Sequence, residues 1–287
     1  MTLIALLAAL LLNAYLPPGG WRSARGLFRY AAWLRNRLMA ARLWDSAVGL
    51  ILLILPAVLV LWALQWLLDD FFFGVGSLVF GVLALAFAFG GGDTLEAEVS
   101  AFTLAWRRGD QAATDSALGA LAGAAVEPMA MEAQPEAATG YLFCRARTRL
   151  FAPIFWFVAL GPVGAVGYRL SVLARAFGET HDNAGPDYCQ AASRWLGWLD
   201  FVPDRLMALA LALAGHFSAA WQAWEQTRSE PANRRLSETG IGALGLPVDE
   251  GPRDLTIATL DDAHALLRRA LYLWIALVAI GSLFGLG

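Results

Sequence analysis

Residues 151–177 read FAPIFWFVALGPVGAVGYRLSVLARAF. The run is long and apolar enough to enter a bilayer, yet Gly161, Pro162, Gly164 and Gly167 interrupt it midway, and Arg169 and Arg175 lie in its second half. A plain spanning helix would avoid all of these. Within hydrocarbon every backbone N–H and C=O needs a partner, so broken backbone survives only where protein or trapped water supplies one. The stretch is therefore predicted to lie inside a helical bundle or to line a cavity.

The rest of the composition agrees with a membrane setting. Of 287 residues, 58% are hydrophobic and only 16% charged, where a soluble domain would carry about 25% charged residues. Mean hydropathy is +0.54, and the chain reads as a polytopic membrane protein. A net charge of -3 argues against a nucleic-acid partner, which would demand a basic surface. All 21 basic residues are arginine, so a phosphate loop ending in Gly-Lys-Ser/Thr and a Schiff-base lysine are both excluded. Cys144 and Cys189 have no partners at metal-ligand spacing, and neither do His181, His216 and His264; no metal and no cofactor is expected. GPVGAVG lacks the preceding strand and downstream acid of a dinucleotide turn, and no Gly-x-Ser-x-Gly elbow occurs.

Working outward, Met1 to Leu16 is apolar and ends in Pro-Pro-Gly-Gly. A basic n-region and an Ala-x-Ala-like site are missing, so a retained short or interfacial helix is expected rather than a signal peptide. Trp21 to Arg42 alternates six arginines with aromatic and aliphatic residues, the pattern of a basic amphipathic helix on a lipid surface. Ala47 to Leu68 is a spanning helix, and Gly74 to about Gly90 a second, joined by a loop with acids and no arginine. Thr94 is expected to cap a helix with Leu95, Val99, Phe102 and Trp106 on one face. Gly109 and Asp110 break it, a second helix reaches Ala122, and Glu127 to Glu136 is an acidic linker. A third helix begins near Ala137 and carries Arg145, Arg147 and Arg149, read as interfacial anchors. GETHDNAGPDYC, residues 178–189, is expected as a surface loop, followed by a helix from Gln190 to Asp200. Phe201 to Trp224 forms another apolar segment, with Pro203 in its first turn. Arg228 to Gly251 reads as loop, and a final helix starts near Leu260.

The arginines fix the expected topology. If 47–68, 74–90 and 266–286 cross fully, every arginine lies on the cytoplasmic side, provided that 151–177 and 201–224 enter and leave by the same face. The first of these then turns back at Gly161 to Gly164. If both cross completely, Arg175 and Arg194 lie outside. The expected divisions are an N-terminal amphipathic region with a transmembrane hairpin (1–92), a cytoplasmic helical region (93–150), and a membrane-embedded core with a C-terminal span (151–287). An arginine at membrane depth must find a carboxylate, a carbonyl or an anionic ligand. Arg169 is thus the leading candidate binding residue, with Asp200 and Asp204 as possible ion-pair partners. Tyr168, Arg205 beside Asp204, and His216 at the end of ALALALAG complete the candidate set. No catalytic residue is assigned.

Two runs carry a family resemblance: LFAPIFWFVALGPVGAVGYRLSVLARAF and, after a polar loop, LGWLDFVPDRLMALALALAGH. Together with YLPPGGWRSARGLFRYAAWLRNRL near the N-terminus, they resemble the AmpE proteins, inner-membrane regulators associated with β-lactamase induction. They resemble more distantly the CobD/CbiB membrane enzymes, which join an aminopropanol unit to a corrinoid acid. The resemblance covers most of the chain, with Thr94 to Pro135 poorly matched. It implies an all-α integral membrane protein, a CobD/CbiB-like helical bundle with interrupted, membrane-embedded hairpins, in a bacterial inner membrane. It also implies a regulatory role without catalysis, through a small anionic or amphipathic ligand or a membrane-protein partner, within the lipid bilayer.

The synthases keep His-Pro-Val where this chain has Gly20, Trp21 and Arg22, and a Glu-Asn-x-Ser-Asp-Gly stretch where it has CRARTRL, residues 144–150. A further synthase Asp falls near Leu173 to Arg175. Carboxylates at such places would hold a cation and position phosphates, work that basic or apolar replacements cannot do. Tyr168 and Arg169 do match the synthases' Tyr-Arg pair. An adenosylcobinamide-phosphate synthase is thus the alternative, with a transporter or a membrane scaffold as further classes; no internal repeat supports a transporter.

Overall fold

The computed structural model describes residues 2–15, 25–38, 44–69, 75–90, 94–124, 126–181, 184–246 and 255–283. The expectations at Gly20, Trp21 and Arg22, at the loop 70–74 and at the turn 91–93 lie outside the described residues. Among the described residues every regular element is helical. The chain runs α1 (Thr2–Tyr15), α2 (Arg25–Leu38), α3 (Ala47–Asp69), α4 (Val75–Ala88), α5 (Leu95–Arg107) and α6 (Gln111–Ala122). It continues through α7 (Gln134–Ala146), α8 (Ala152–Thr180), α9 (Pro186–Ala214), α10 (Phe217–Gln226), α11 (Ala232–Ala243) and α12 (Ile257–Leu283). Among the described residues three helical runs are long and apolar enough to cross a membrane: Ala47–Leu67, Met131–Thr180 and Ile257–Ser282. The helices fall into two compact units, one of residues 1–92, 152–201 and 281–287, the other of 93–151 and 202–280.

The first unit is organised around α8. Gly161 has φ 71° and ψ -159°, a combination that a Cβ all but forbids. A Cβ placed on Gly164 would press into the carbonyl oxygen of Trp156, eight residues earlier. In a continuous helix those positions would stand about 12 Å apart along the axis, so α8 doubles back into two arms at Gly161. Ala152 on one arm and Tyr168 on the other consequently share one core cluster with Leu196. The fold tip lies beside the amide of Gln65 in α3, and Gly167 faces Val58 two turns lower on the same helix. On the other side α4 lies against α8, with Phe157 against Gly81, which also meets Ala5 of α1.

A second core of this unit gathers Trp44, Phe177 and Tyr188. The Trp44 indole stacks on Tyr188 at 4.8 Å and donates to the Ala184 carbonyl at 2.9 Å. Next to it, Asp45 Oδ1 accepts from the backbone N–H groups of Asp187 and Tyr188 at 3.0 and 3.1 Å. A carboxylate from a distant segment thereby supplies the N-terminal cap of α9. The polar stretch 178–189 is a loop over a much shorter length than expected, because α8 continues to Thr180 and α9 already begins at Pro186.

The second unit contains α5, α6, α7, α10 and α11 with parts of α9 and α12. Thr94 caps α5 by accepting from Ala97 N at 3.2 Å, and Asp110 caps α6 in the same way, so this region begins and breaks where the sequence indicates. Three expectations fail. Pro203 does not start a helix but lies within α9. One lost backbone bond there is outweighed by a buried face of Pro203, Asp204, Met207, Ala208 and Leu211. Residues 232–243, expected as loop, form α11, because Leu236, Gly240 and Ala243 find a surface to bury against: Gly240 lies on the Phe143 ring of α7. The linker after Glu127 is shorter than expected, with Gln134 and Pro135 buried at the start of α7.

Candidate functional site

Apolar helices can hold polar side chains at depth only if those groups satisfy one another. In the first unit the buried pair is Tyr168 and Asp200. Tyr168 is 1% exposed and Asp200 4%, and the phenol donates to Asp200 Oδ1 at 2.8 Å. Tyr168 stands on the second arm of α8, seven residues past the break, so the fold at Gly161 delivers it. Arg169, the next residue, is half-buried. Its guanidinium lies at the C-terminal end of α4, where Nη2 would come within 2.8 Å of a Cβ on Gly90. The last carbonyls of a helix carry partial negative charge and suit a cation there.

The second unit holds a denser set. Arg147, Thr148, Arg149, Leu150 and Phe151 form a π-helical turn, a local over-widening that is frequent at functional sites. From it Arg147 Nη1 donates to Asp204 Oδ1 at 2.9 Å, with side chains only 5% and 3% exposed. Its Nη2 donates to Asn233 Oδ1 at 3.0 Å. Arg149 Nη1 donates to Glu98 Oε1 at 2.7 Å, and Arg145 reaches the same carboxylate at 3.2 Å. The reading of Arg145, Arg147 and Arg149 as interfacial anchors is thereby overturned: these guanidiniums point inward, because Glu98 and Asp204 are buried anions that need counter-charges. Among the described residues no three His, Cys, Asp or Glu side chains converge as metal ligands would.

The remaining candidates lie elsewhere in this unit. Arg205 is exposed and lines a cavity with Trp221 and Trp224. His216 is exposed at the start of α10, with its backbone N–H bonded to the Ala243 carbonyl at 2.8 Å and its ring against Gly245. Sequence reasoning passed over Glu98 and Asn233. Glu98 was findable, because positions 98, 102 and 105 share one helical face with Phe102 and Ala105, and a lone acid on an apolar stripe calls for a cation.

Helical runs long and apolar enough to cross a bilayer, in a chain whose described elements are all helical, define an all-helical integral membrane protein. Across residues 1–284 the chain matches the regulatory signalling modulator protein AmpE, and it belongs to that family. It is also similar to two cobalamin biosynthesis proteins CobD. The protein from Chromobacterium violaceum is 31% identical over 146 residues, 45% of this chain and 47% of the relative. The protein from Stutzerimonas stutzeri is 31% identical over 118 residues, 40% of this chain and 39% of the relative. The chain thus spans less than half the length of these relatives. No solved structure matches it.

Proposed function

We propose that this protein is a regulatory component of the bacterial inner membrane, linked to β-lactamase induction or cell-wall stress and without catalysis of its own. In this reading it answers a small anionic or amphipathic ligand or a membrane-protein partner. Residues 93–150 form its cytoplasmic reporting region, and the arginine-rich segments face the cytoplasm. The observation that carries the proposal is the fate of Glu98 and Asp204. Each is held by arginines from residues 145–149, the place where the synthases keep an acidic stretch. Carboxylates neutralised by guanidinium are poorly suited to holding a cation and a phosphate chain. The family match supports the regulatory role.

The test is a chromosomal deletion complemented with wild type or Arg147→Ala. β-Lactamase activity is read with and without an inducing β-lactam. Deletion is expected to change the induced level, with wild type restoring it and Arg147→Ala restoring less. The same induced level with and without the gene would sink the regulatory reading. The synthase alternative draws on the similarity to the CobD proteins and on the buried Tyr168–Asp200 contact. ATP-dependent amide formation from a corrinoid acid and aminopropanol phosphate by purified protein would establish it instead.

A further inference from the structure

We propose that the second unit holds one anionic phospholipid, with its headgroup phosphate between Arg205 and Arg235 and an acyl chain along an apolar stripe of α9 and α10. The site stands on local geometry and does not depend on the signalling reading. Its centre is a cavity of about 260 Å³ lined by Arg205, Leu209, Ala212, Trp221, Trp224 and Thr239. A pocket that engulfs a drug-sized molecule runs to roughly 300–1,000 Å³, so this one suits an occupant that leaves most of itself outside.

What lies outside is apolar. Val202, Leu206, Leu209 and Leu213 recur every three or four residues along α9, and their exposures of 42%, 39%, 46% and 62% place them on one open face. Phe217 and Trp221 continue the surface on α10, their rings stacked at 6.2 Å. A stripe of this kind needs hydrocarbon against it.

The charged end is equally specific. Arg235 lies over the Trp224 ring at 4.6 Å and donates through Nη1 to the Arg228 carbonyl at 3.2 Å. Its Nε is buried with no hydrogen-bond partner among the described residues. Arg205 borders the cavity beside Trp224, the ring that Arg235 covers, and the like charge of Arg235 acts on Arg205 against the opposite pull of Asp204; an anion between the two guanidiniums would add to that pull. Paired guanidinium forks match the oxygens of a phosphate, and the adjacent apolar stripe selects a phosphate that carries chains.

Native mass spectrometry of the full-length protein, titrated with dioleoylphosphatidylglycerol, dioleoylphosphatidylcholine or inorganic phosphate, tests the proposal. Arg205→Gln and Arg235→Gln are each expected to weaken the first bound phosphatidylglycerol about fivefold, and together about thirtyfold, at ~1 kcal/mol per arginine. Leu209→Trp, which fills the cavity and leaves both arginines in place, is expected to weaken it as well. Phosphatidylcholine should bind more weakly and respond little to the arginine changes. The proposal fails if the double variant binds phosphatidylglycerol like wild type, or if the two lipids behave alike. It also fails if inorganic phosphate binds as tightly as the lipid. Should the double variant not fold, full retention of phosphatidylglycerol by Leu209→Trp overturns the site by itself.

Discussion

Removing either side of the Arg147–Asp204 pair should destabilise the protein far more than removing both. The two groups meet at 2.9 Å, with side chains 5% and 3% exposed. At an effective dielectric constant of 20 their gross attraction is about 6 kcal/mol, most of which offsets the cost of taking two ions out of water. Truncating one partner forfeits the attraction and leaves the other charge buried, at a cost of about 3–5 kcal/mol. Arg147→Met or Asp204→Leu alone should therefore lower Tm by at least about 6 °C, taking 2–4 °C per kcal/mol. The double variant Arg147→Met/Asp204→Leu removes both ions and should recover to within about 2 kcal/mol of wild type. Thermal unfolding of detergent-solubilised protein, arranged as a double-mutant cycle, measures this. If the single losses simply add in the double variant, or each stays below about 1 kcal/mol, the pair does not neutralise buried charge and the reasoning is wrong.

Other consequences are smaller but equally direct. Gly161→Ala should cost about 1–3 kcal/mol because of its backbone angles, and Gly164→Ala a similar amount by driving a methyl into the Trp156 carbonyl. Gly197→Ala, in open space on α9, should be neutral or stabilising by up to about 1 kcal/mol; equal effects at Gly161 and Gly197 in thermal unfolding would contradict the folded-back α8. Tyr168→Phe should cost about 1.5–3 kcal/mol by removing a buried hydrogen bond to the Asp200 carboxylate, and adding Asp200→Asn should recover part of it; no recovery would mean that the phenol matters only by packing. Burial, and then the negative charges of Asp45 and Glu179, push the Cys189 thiol up. In a Cys144→Ala background its alkylation by iodoacetamide should therefore rise at higher pH than that of glutathione, and Asp45→Asn should bring it back down. A profile matching glutathione would refute this.

What could be read from the sequence was mostly local chemistry. Thr94 and Asp110 announce their helices because a cap is settled within three residues. The break in α8 is legible because glycines beside a proline have few other uses in an apolar run. The inward turn of the arginines was not legible, because their partners lie far along the chain: Glu98 is 47 and 51 residues from Arg145 and Arg149, and Asp204 is 57 from Arg147. Nothing near CRARTRL separates an arginine that reaches for lipid from one that reaches for a buried acid. Likewise, residues 232–243 look like loop until Phe143 provides something to pack on. The course of α9 through Pro203 is decided by its buried face and not by its proline.

The fold at Gly161 also sets an order of assembly. Trp156 and Gly164 meet across eight residues, whereas the Trp44–Ala184 bond closes a separation of 140. Loop-closure entropy makes the longer closure more costly by about 2.5 kcal/mol. The two arms of α8 should therefore come together as soon as they leave the ribosome, before α9 has emerged and Ala184 can close on Trp44. Gly161→Ala would then delay insertion of the nascent chain as well as weaken the finished protein, and a lag in protease protection during synthesis would reveal it.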